Sequence, residues 1–475
     1  MEKVFSVGII GGGISGAVTA VQLADQGIDH VLFEKENSVV NGPPFCHLHA
    51  GGNLYPDIAD WECRLLMKQS IEMVKLFPQS IDERPTFFSV PRKTKYEPSK
   101  IEARLKMLVE YYKELISEDP SNAVLGSPEN YFKAYTKEDL KRLQQTDVVK
   151  LPKNADEWMR NSLELIDQEQ LKMPVFMVQE FGWNMFRLAA QAQLALETSE
   201  YSNLLTNTQV KTIIDCRDQD VDYNWILKTE DKSFKLKYLI NSCGFRTGEF
   251  DEILDLKPKR LIEFKAAYIS KWKSLPGAVP ELIFHGERGT PNGMAQLTPW
   301  SNDFYQIHGM TKDITLFKDG IVKSEERAQP EFKEEIVQKI NNRWDSKELK
   351  DRTENAIDYI SKFVPDFGSA EPGGPAMFGA QQVVGDNLNL RVAEVSFPSK
   401  AYARSEIIKA SSALTVANRI IDQLESEGIV AQNSPDQDSN SLLASMSVNN
   451  IDAMAKQLTV ERGYPEDLSN LVIAK

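Results

Sequence analysis

The chain has 475 residues, is 41% hydrophobic and 26% charged, and carries a formal net charge of -14 at pH 7. Its length implies more than one domain and its composition is that of a globular protein, while the acidic balance argues against a nucleic-acid binder, which needs a basic face. No run is long and apolar enough to span a bilayer. The cysteines (Cys46, Cys63, Cys216, Cys243) are widely spaced with no CxxC pair, so neither a disulfide framework nor a zinc site is expected. The first residues, MEKVFSVGIIGGG, enter a strand almost at once and leave no room for a secretory signal. A reduced, cytoplasmic protein is expected.

Val4 to Ile10 reads as a short, apolar, buried strand. Gly11, Gly13 and Gly16 follow as G-x-G-x-x-G. The first glycine permits a tight turn, the second lets backbone approach a pyrophosphate, and the third lets the next helix pack closely on the strand. Helical character runs from Ser15 to Gln26, and Gly27 stops it. A second strand, HVLFE, ends at Glu34, followed by Lys35. Glu34 lies near the offset of about twenty residues at which a carboxylate accepts hydrogen bonds from a ribose. The helix N-terminus supplies amides and a partial positive charge for phosphates. These features predict a dinucleotide site. FAD is favoured over NAD because the fingerprint is N-terminal, the chain is long for a nicotinamide dehydrogenase, and no second glycine fingerprint follows.

The next stretch, HAGGNLYPDIADWECRLLMKQSIEM from residue 49, is specific. With the opening fingerprint it resembles the D-amino-acid oxidase and glycine oxidase superfamily of FAD-dependent oxidoreductases, most similar in motif to L-2-hydroxyglutarate and glycerol-3-phosphate oxidases. The resemblance implies a Rossmann-like FAD/NAD(P)-binding domain of GR2 type in an α/β fold, with an antiparallel-sheet substrate domain. It places Ala50, Gly51 and Gly52 along the flavin and makes His49 the position through which some amine-oxidising members link FAD covalently. His47 and His49 have no further ligands nearby in sequence, so no metal is expected.

From Trp61 to about Lys172 the pattern is mostly helical; IEARLKMLVEYYKELISED has apolar residues at helical spacing and TKEDLKRLQQ opens on a Thr N-cap. MPVFMVQEFGWNMFRLAAQAQLALE reads as a strand, a glycine turn, and a helix capped by Asn184. Three strand-like runs follow. Within them INSCG resembles the family's closing FAD segment, which implies Gly244 at the cofactor and Val210 with its backbone toward the adenine. Cys243 reads as a small buried residue rather than a redox thiol. RLIEFKAAYIS and ELIFHGERGTPNGMAQLTPWSNDFYQIHGMT begin the substrate sheet and hold His285, Arg288 and His308. An Arg fork suits a substrate carboxylate, and histidine suits the base that takes a hydroxyl proton. His308 or His285 is the expected base and Arg288 the expected clamp. In the last segment, residues 378 to 424, the family's glycine-rich turn before a long helix is replaced by SKAYARSE, which makes Lys400, Tyr402 and Arg404 further candidates for an acidic group. After about Val430 a polar linker leads to short amphipathic helices expected to pack on the body.

The expected division is 1–60, 173–250 and 371–428 for the FAD-binding domain, 61–172 and 251–370 for the helical and substrate domain, and 429–475 for linker and tail. The expected reaction is hydride transfer from a small carboxylate-bearing 2-hydroxy acid to FAD, with reoxidation by quinone, oxygen or a carrier protein. The alternatives are an amine or amino-acid oxidase on the same fold and a non-catalytic flavin-binding subunit. A quinone acceptor implies peripheral membrane contact, but no basic amphipathic stretch demands it.

Overall fold

The computed structural model describes residues 3–43, 57–273, 277–431 and 442–473. Two large sheets organise the chain. The first has eight strands ordered Val395–Ser399, Tyr402–Ser405, Ser233–Asn241, Val4–Ile10 (β1), His30–Phe33 (β2) and Ser202–Leu205, with Trp225–Lys228 added antiparallel to Ser233–Asn241 and Thr212–Asp215 antiparallel to Trp225–Lys228. From Tyr402–Ser405 to Ser202–Leu205 neighbouring strands are parallel, and β1 and β2 have the continuous apolar character of strands covered on both faces. Helix Ile14–Asp25 (α1) packs on this sheet beside Met185–Thr198 and Ala413–Ser426. Gly16 makes that approach possible, because a Cβ there would lie 2.0 Å from the Gly11 carbonyl oxygen.

The second sheet has ten strands, centred on Arg260–Lys271, Phe304–Gly309, Ala295–Pro299, Glu281–Phe284, Thr86–Pro91 and Leu171–Val178. Its pairings are antiparallel except between Glu281–Phe284 and Thr86–Pro91. Met377–Val384 and Leu171–Val178 belong here, pairing with Arg260–Lys271 and Thr86–Pro91. The sequence division had put residues 173–178 and 377–384 with the FAD-binding part; their strand hydrogen bonds assign them to the other sheet.

Strand alternation gives this sheet two different faces. Ala266, Tyr268, Leu297 and Ile307 join the core under the helix Ser346–Ser361. Ala267, Ile269 and Ile283 point the other way, into the core that also holds α1 and Met185–Thr198. That inner face is where the two sheets meet. The C-terminal helix Val448–Glu461 packs on Met185–Thr198, and Asn184, which caps the latter helix, donates its amide to the carbonyls of Leu468 and Asn470 at 2.9 and 3.1 Å.

Candidate functional site

The carboxyl ends of β1, β2 and Ser233–Asn241 form one edge. Gly11 turns there with φ +97°, and a Cβ on it would meet the Ser242 carbonyl at 2.6 Å. Gly13 is the extended N-cap of α1, with no side-chain cap and no acidic residue in the first turn. The first amides of a helix have no intrahelical partner, and a Cβ on Gly13 would meet nothing within 4 Å. An unobstructed helix N-terminus of this kind suits a diphosphate. The buried Glu34 carboxylate accepts from the Gly12 and Glu36 amides at 2.7 and 2.8 Å. It keeps lone pairs for ribose hydroxyls, and burial pushes its pKa up against the pull of those amides. Thr208 donates its amide to the Glu34 carbonyl, which brings the buried Val210 to the same end. Gly244 turns with φ +57° after Ser233–Asn241, beside Cys243, whose thiol burial pushes well above its ordinary value. The Ser15 hydroxyl meets that of Ser405 at 2.7 Å, and Lys35 is an exposed partner of Glu36 at 3.3 Å. These residues fit a dinucleotide such as FAD. His49, Ala50, Gly51 and Gly52 lie outside the described residues.

The inner face of the second sheet carries the side-chain chemistry. On Arg260–Lys271, Glu263 and Lys265 share a face with Ala267; His308 is on the neighbouring strand, where it pairs with Gln296. Lys265 stands across from Gly379, whose Cβ would lie 2.3 Å from Pro43 on the chain leaving the glycine cradle. The chain leaving the cradle therefore reaches the strand beside Lys265. Lys265 Nζ lies 2.9 Å from Glu263 and donates to Gln381 Oε1 at 2.8 Å; the Gln381 amide donates to the Ile408 carbonyl at 2.8 Å. One glutamine thus ties Lys265 to the residue before Lys409.

Burial and the Arg391 charge push Lys265 down to about 7, although Glu263 favours its charged form. Burial, Arg391 and Lys265 push Lys409 down to about 7, against the pull of Glu180. His308 Nδ1 lies 3.1 Å from the Thr315 hydroxyl. Burial, Lys265 and Lys409 push its imidazole down to about 3, so it is neutral at physiological pH. His308 is therefore grouped with the lysines. His285 is not: its ring stacks on Phe88, Arg104 is the charge it feels, and it lines a cavity of about 260 Å³ with Lys93 and Tyr359. Arg288 is ion-paired with Glu263.

Three expected substrate-binding residues stand apart from this group. Arg404 binds Asp251 at 3.0 Å and Glu406 at 2.7 Å, and the Tyr402 hydroxyl donates to Asp251 at 3.1 Å. Asp251 also holds Arg260 at 2.5 Å, so these groups form a closed buried network. Lys400 is exposed on the turn before Tyr402–Ser405. SKAYARSE forms this hairpin rather than the lead into the last long helix; that lead is residues 406–412, and it carries Lys409. Lys409 was missed because the turn was placed one strand too early. Lys265 was missed although its signal was visible, since Glu263 and Lys265 at alternate positions put charge on one face of an apolar strand.

Residues 9–40 match the NAD(P)-binding Rossmann-like domain family. The chain superposes on glycine oxidase from Geobacillus kaustophilus with TM-score 0.57 at 13% identity, covering 93% of this chain and 99% of that one. The two chains share one fold. Other structures of this fold that resemble it are L-proline dehydrogenase from P. horikoshii (TM-score 0.56, 15% identity, 91% and 96% of the two chains) and FAD-bound L-α-glycerophosphate oxidase from Mycoplasma pneumoniae (0.57, 13%, 89% and 95%). No curated protein matches the sequence. Among the described residues no helix is long and apolar enough to cross a membrane, and no three His, Cys, Asp or Glu side chains group to hold a metal ion.

Proposed function

We propose that the chain is an FAD-dependent oxidoreductase that takes a hydride from a small carboxylate-bearing 2-hydroxy acid. The observation that carries this reading is a neutral imidazole, His308, grouped with Lys265 and Lys409 near the sheet face that the chain leaving the glycine cradle reaches. FAD, when bound, supplies the hydride acceptor. Oxidation of the alcohol sends its C2 hydrogen away as hydride and its hydroxyl proton to a base, leaving a 2-oxo acid. His308 is the group to take that proton. Lys265 and Lys409 hold the carboxylate, and an arriving anion offsets the very charges that depress His308, which raises its basicity as the substrate binds. The same cations repel a protonated amine, which favours a hydroxy acid over an amino acid. Reoxidation falls to a quinone, oxygen or a carrier protein. The free thiols of Cys63, Cys216 and Cys243 support a reducing compartment such as the cytoplasm.

The test is anaerobic bleaching of the flavin band by 2-hydroxy acids, glycerol 3-phosphate, and primary and secondary amino acids. Rapid bleaching by a hydroxy acid is expected. Bleaching by amino acids alone replaces this reading with amine oxidation, and a bound flavin that nothing reduces favours a non-catalytic flavin-binding subunit.

A further inference from the structure

The turn Ser38–Val40 follows the end of β2 and lies against the glycine cradle. Val40 has φ +56°, a conformation that a β-branched residue adopts only under strain. Its amide donates to the Gly12 carbonyl at 2.7 Å, and the Val39 amide donates to Gln193 Oε1 at 3.0 Å. A third support comes from the far end of the chain. Arg462 donates from Nη1 to the Val40 carbonyl at 3.0 Å, and from Nη2 to the Val39 carbonyl at 2.9 Å and the Ser38 hydroxyl at 3.2 Å. A single guanidinium thus grips three consecutive residues of a strained turn.

Arg462 is itself held firmly. It is the C-cap of Val448–Glu461, and that helix buries Ile451, Ala455 and Leu458. Asp452 on the same helix accepts from Arg187 at 2.6 Å. Beyond it, Ser301 binds the Asp467 carbonyl, and the Val472 and Ile473 amides donate to Asp82 at 3.3 and 3.2 Å. The C-terminal segment is therefore fastened to both sheet layers, with Arg462 at the cradle.

We propose that Arg462 is a positioning residue for the cofactor: it holds the strained 38–40 turn against Gly12, so the cradle is in its binding shape only while the C-terminal segment is docked. This rests on the reading that FAD occupies the cradle. Without Arg462, Val40 would be free to relax toward negative φ, its bond to the Gly12 carbonyl would weaken, and the ordering of the turn would have to come out of the binding energy of FAD.

Full-length protein stripped of flavin and titrated with FAD by fluorescence tests this. Arg462→Ala is expected to raise the Kd by about 10- to 100-fold, as suits the loss of charge-assisted hydrogen bonds, with little change in the Tm of the apoprotein. Arg462→Lys keeps the charge without the fork and recovers part of the affinity. Glycine adopts positive φ without strain, so in a Val40→Gly background the penalty of Arg462→Ala should shrink. If Arg462→Ala does not fold, the Arg462→Gln variant replaces it. An unchanged Kd in the variant overturns the proposal, as does an equal Arg462→Ala penalty in both backgrounds. A wild-type chain that takes up no FAD overturns the flavin reading itself, and this inference falls with it.

Discussion

The glycine cradle and the inner face of the second sheet, the two surfaces proposed to face ligands, are built in opposite ways. The cradle does its work with backbone: amides at the start of α1, two glycines that allow close approach, and one carboxylate, all between Gly11 and Glu34. The inner face works with side chains drawn from Arg260–Lys271, Phe304–Gly309 and the lead into Ala413–Ser426. Backbone chemistry needs local spacing, so it concentrates in one short motif. Side-chain chemistry needs only a common face, and strand register can bring that face together from anywhere in the chain.

The largest effect expected from breaking this comparison lies outside both regions. Asp251→Ala strips the carboxylate from the buried Arg260 and Arg404, and should cost about 3–5 kcal/mol in urea unfolding. If instead stability holds and only substrate binding suffers, Arg404 belongs to the site after all. Next comes Gly16→Val, which drives a side chain into the Gly11 carbonyl; a loss of about 2–3 kcal/mol is expected, as for an overpacked core, with flavin absent from the purified protein.

Lys265→Met and Lys409→Met sharpen the second region. Each should raise the KM for a carboxylate substrate about tenfold or more, the scale of one charge-assisted hydrogen bond, while FAD content stays near wild type. Steady-state kinetics beside the flavin absorbance ratio separates the two effects. Both lysines are held near 7 in the free site, so the sign of the pH dependence follows. Below pH 7 both are cationic and anions bind best; above it the neutral fraction grows, and KM should climb by up to about tenfold per pH unit for each lysine that must be recharged. A KM flat from pH 6 to 9 would remove both lysines from substrate binding. The smallest effect belongs to the exposed Lys400, where Lys400→Ala should change stability by less than about 0.5 kcal/mol and leave KM unchanged.

The sequence by itself determined the cradle. The strand, Gly11, Gly13, Gly16, the helix and Glu34 are neighbours in the chain, and their chemistry depends on that spacing. It also marked Asn184 as a helix cap and His308 as a candidate base, because rare polar types inside apolar strands stand out. Only the tertiary structure decided which polar residues stand together. Arg404 and Lys265 look alike in sequence, each a cation in a strand, but Asp251 claims the first while the second, held by Gln381 and Glu263, is near enough to His308 and Lys409 for its charge to be felt by both. Such partners are set by long-range strand pairing, where shifting the register by a single residue moves a side chain to the opposite face. The grip of Arg462 on Val39 and Val40, across more than four hundred residues of chain, is decided in the same way: by where the C-terminal helix docks, not by anything local to either end.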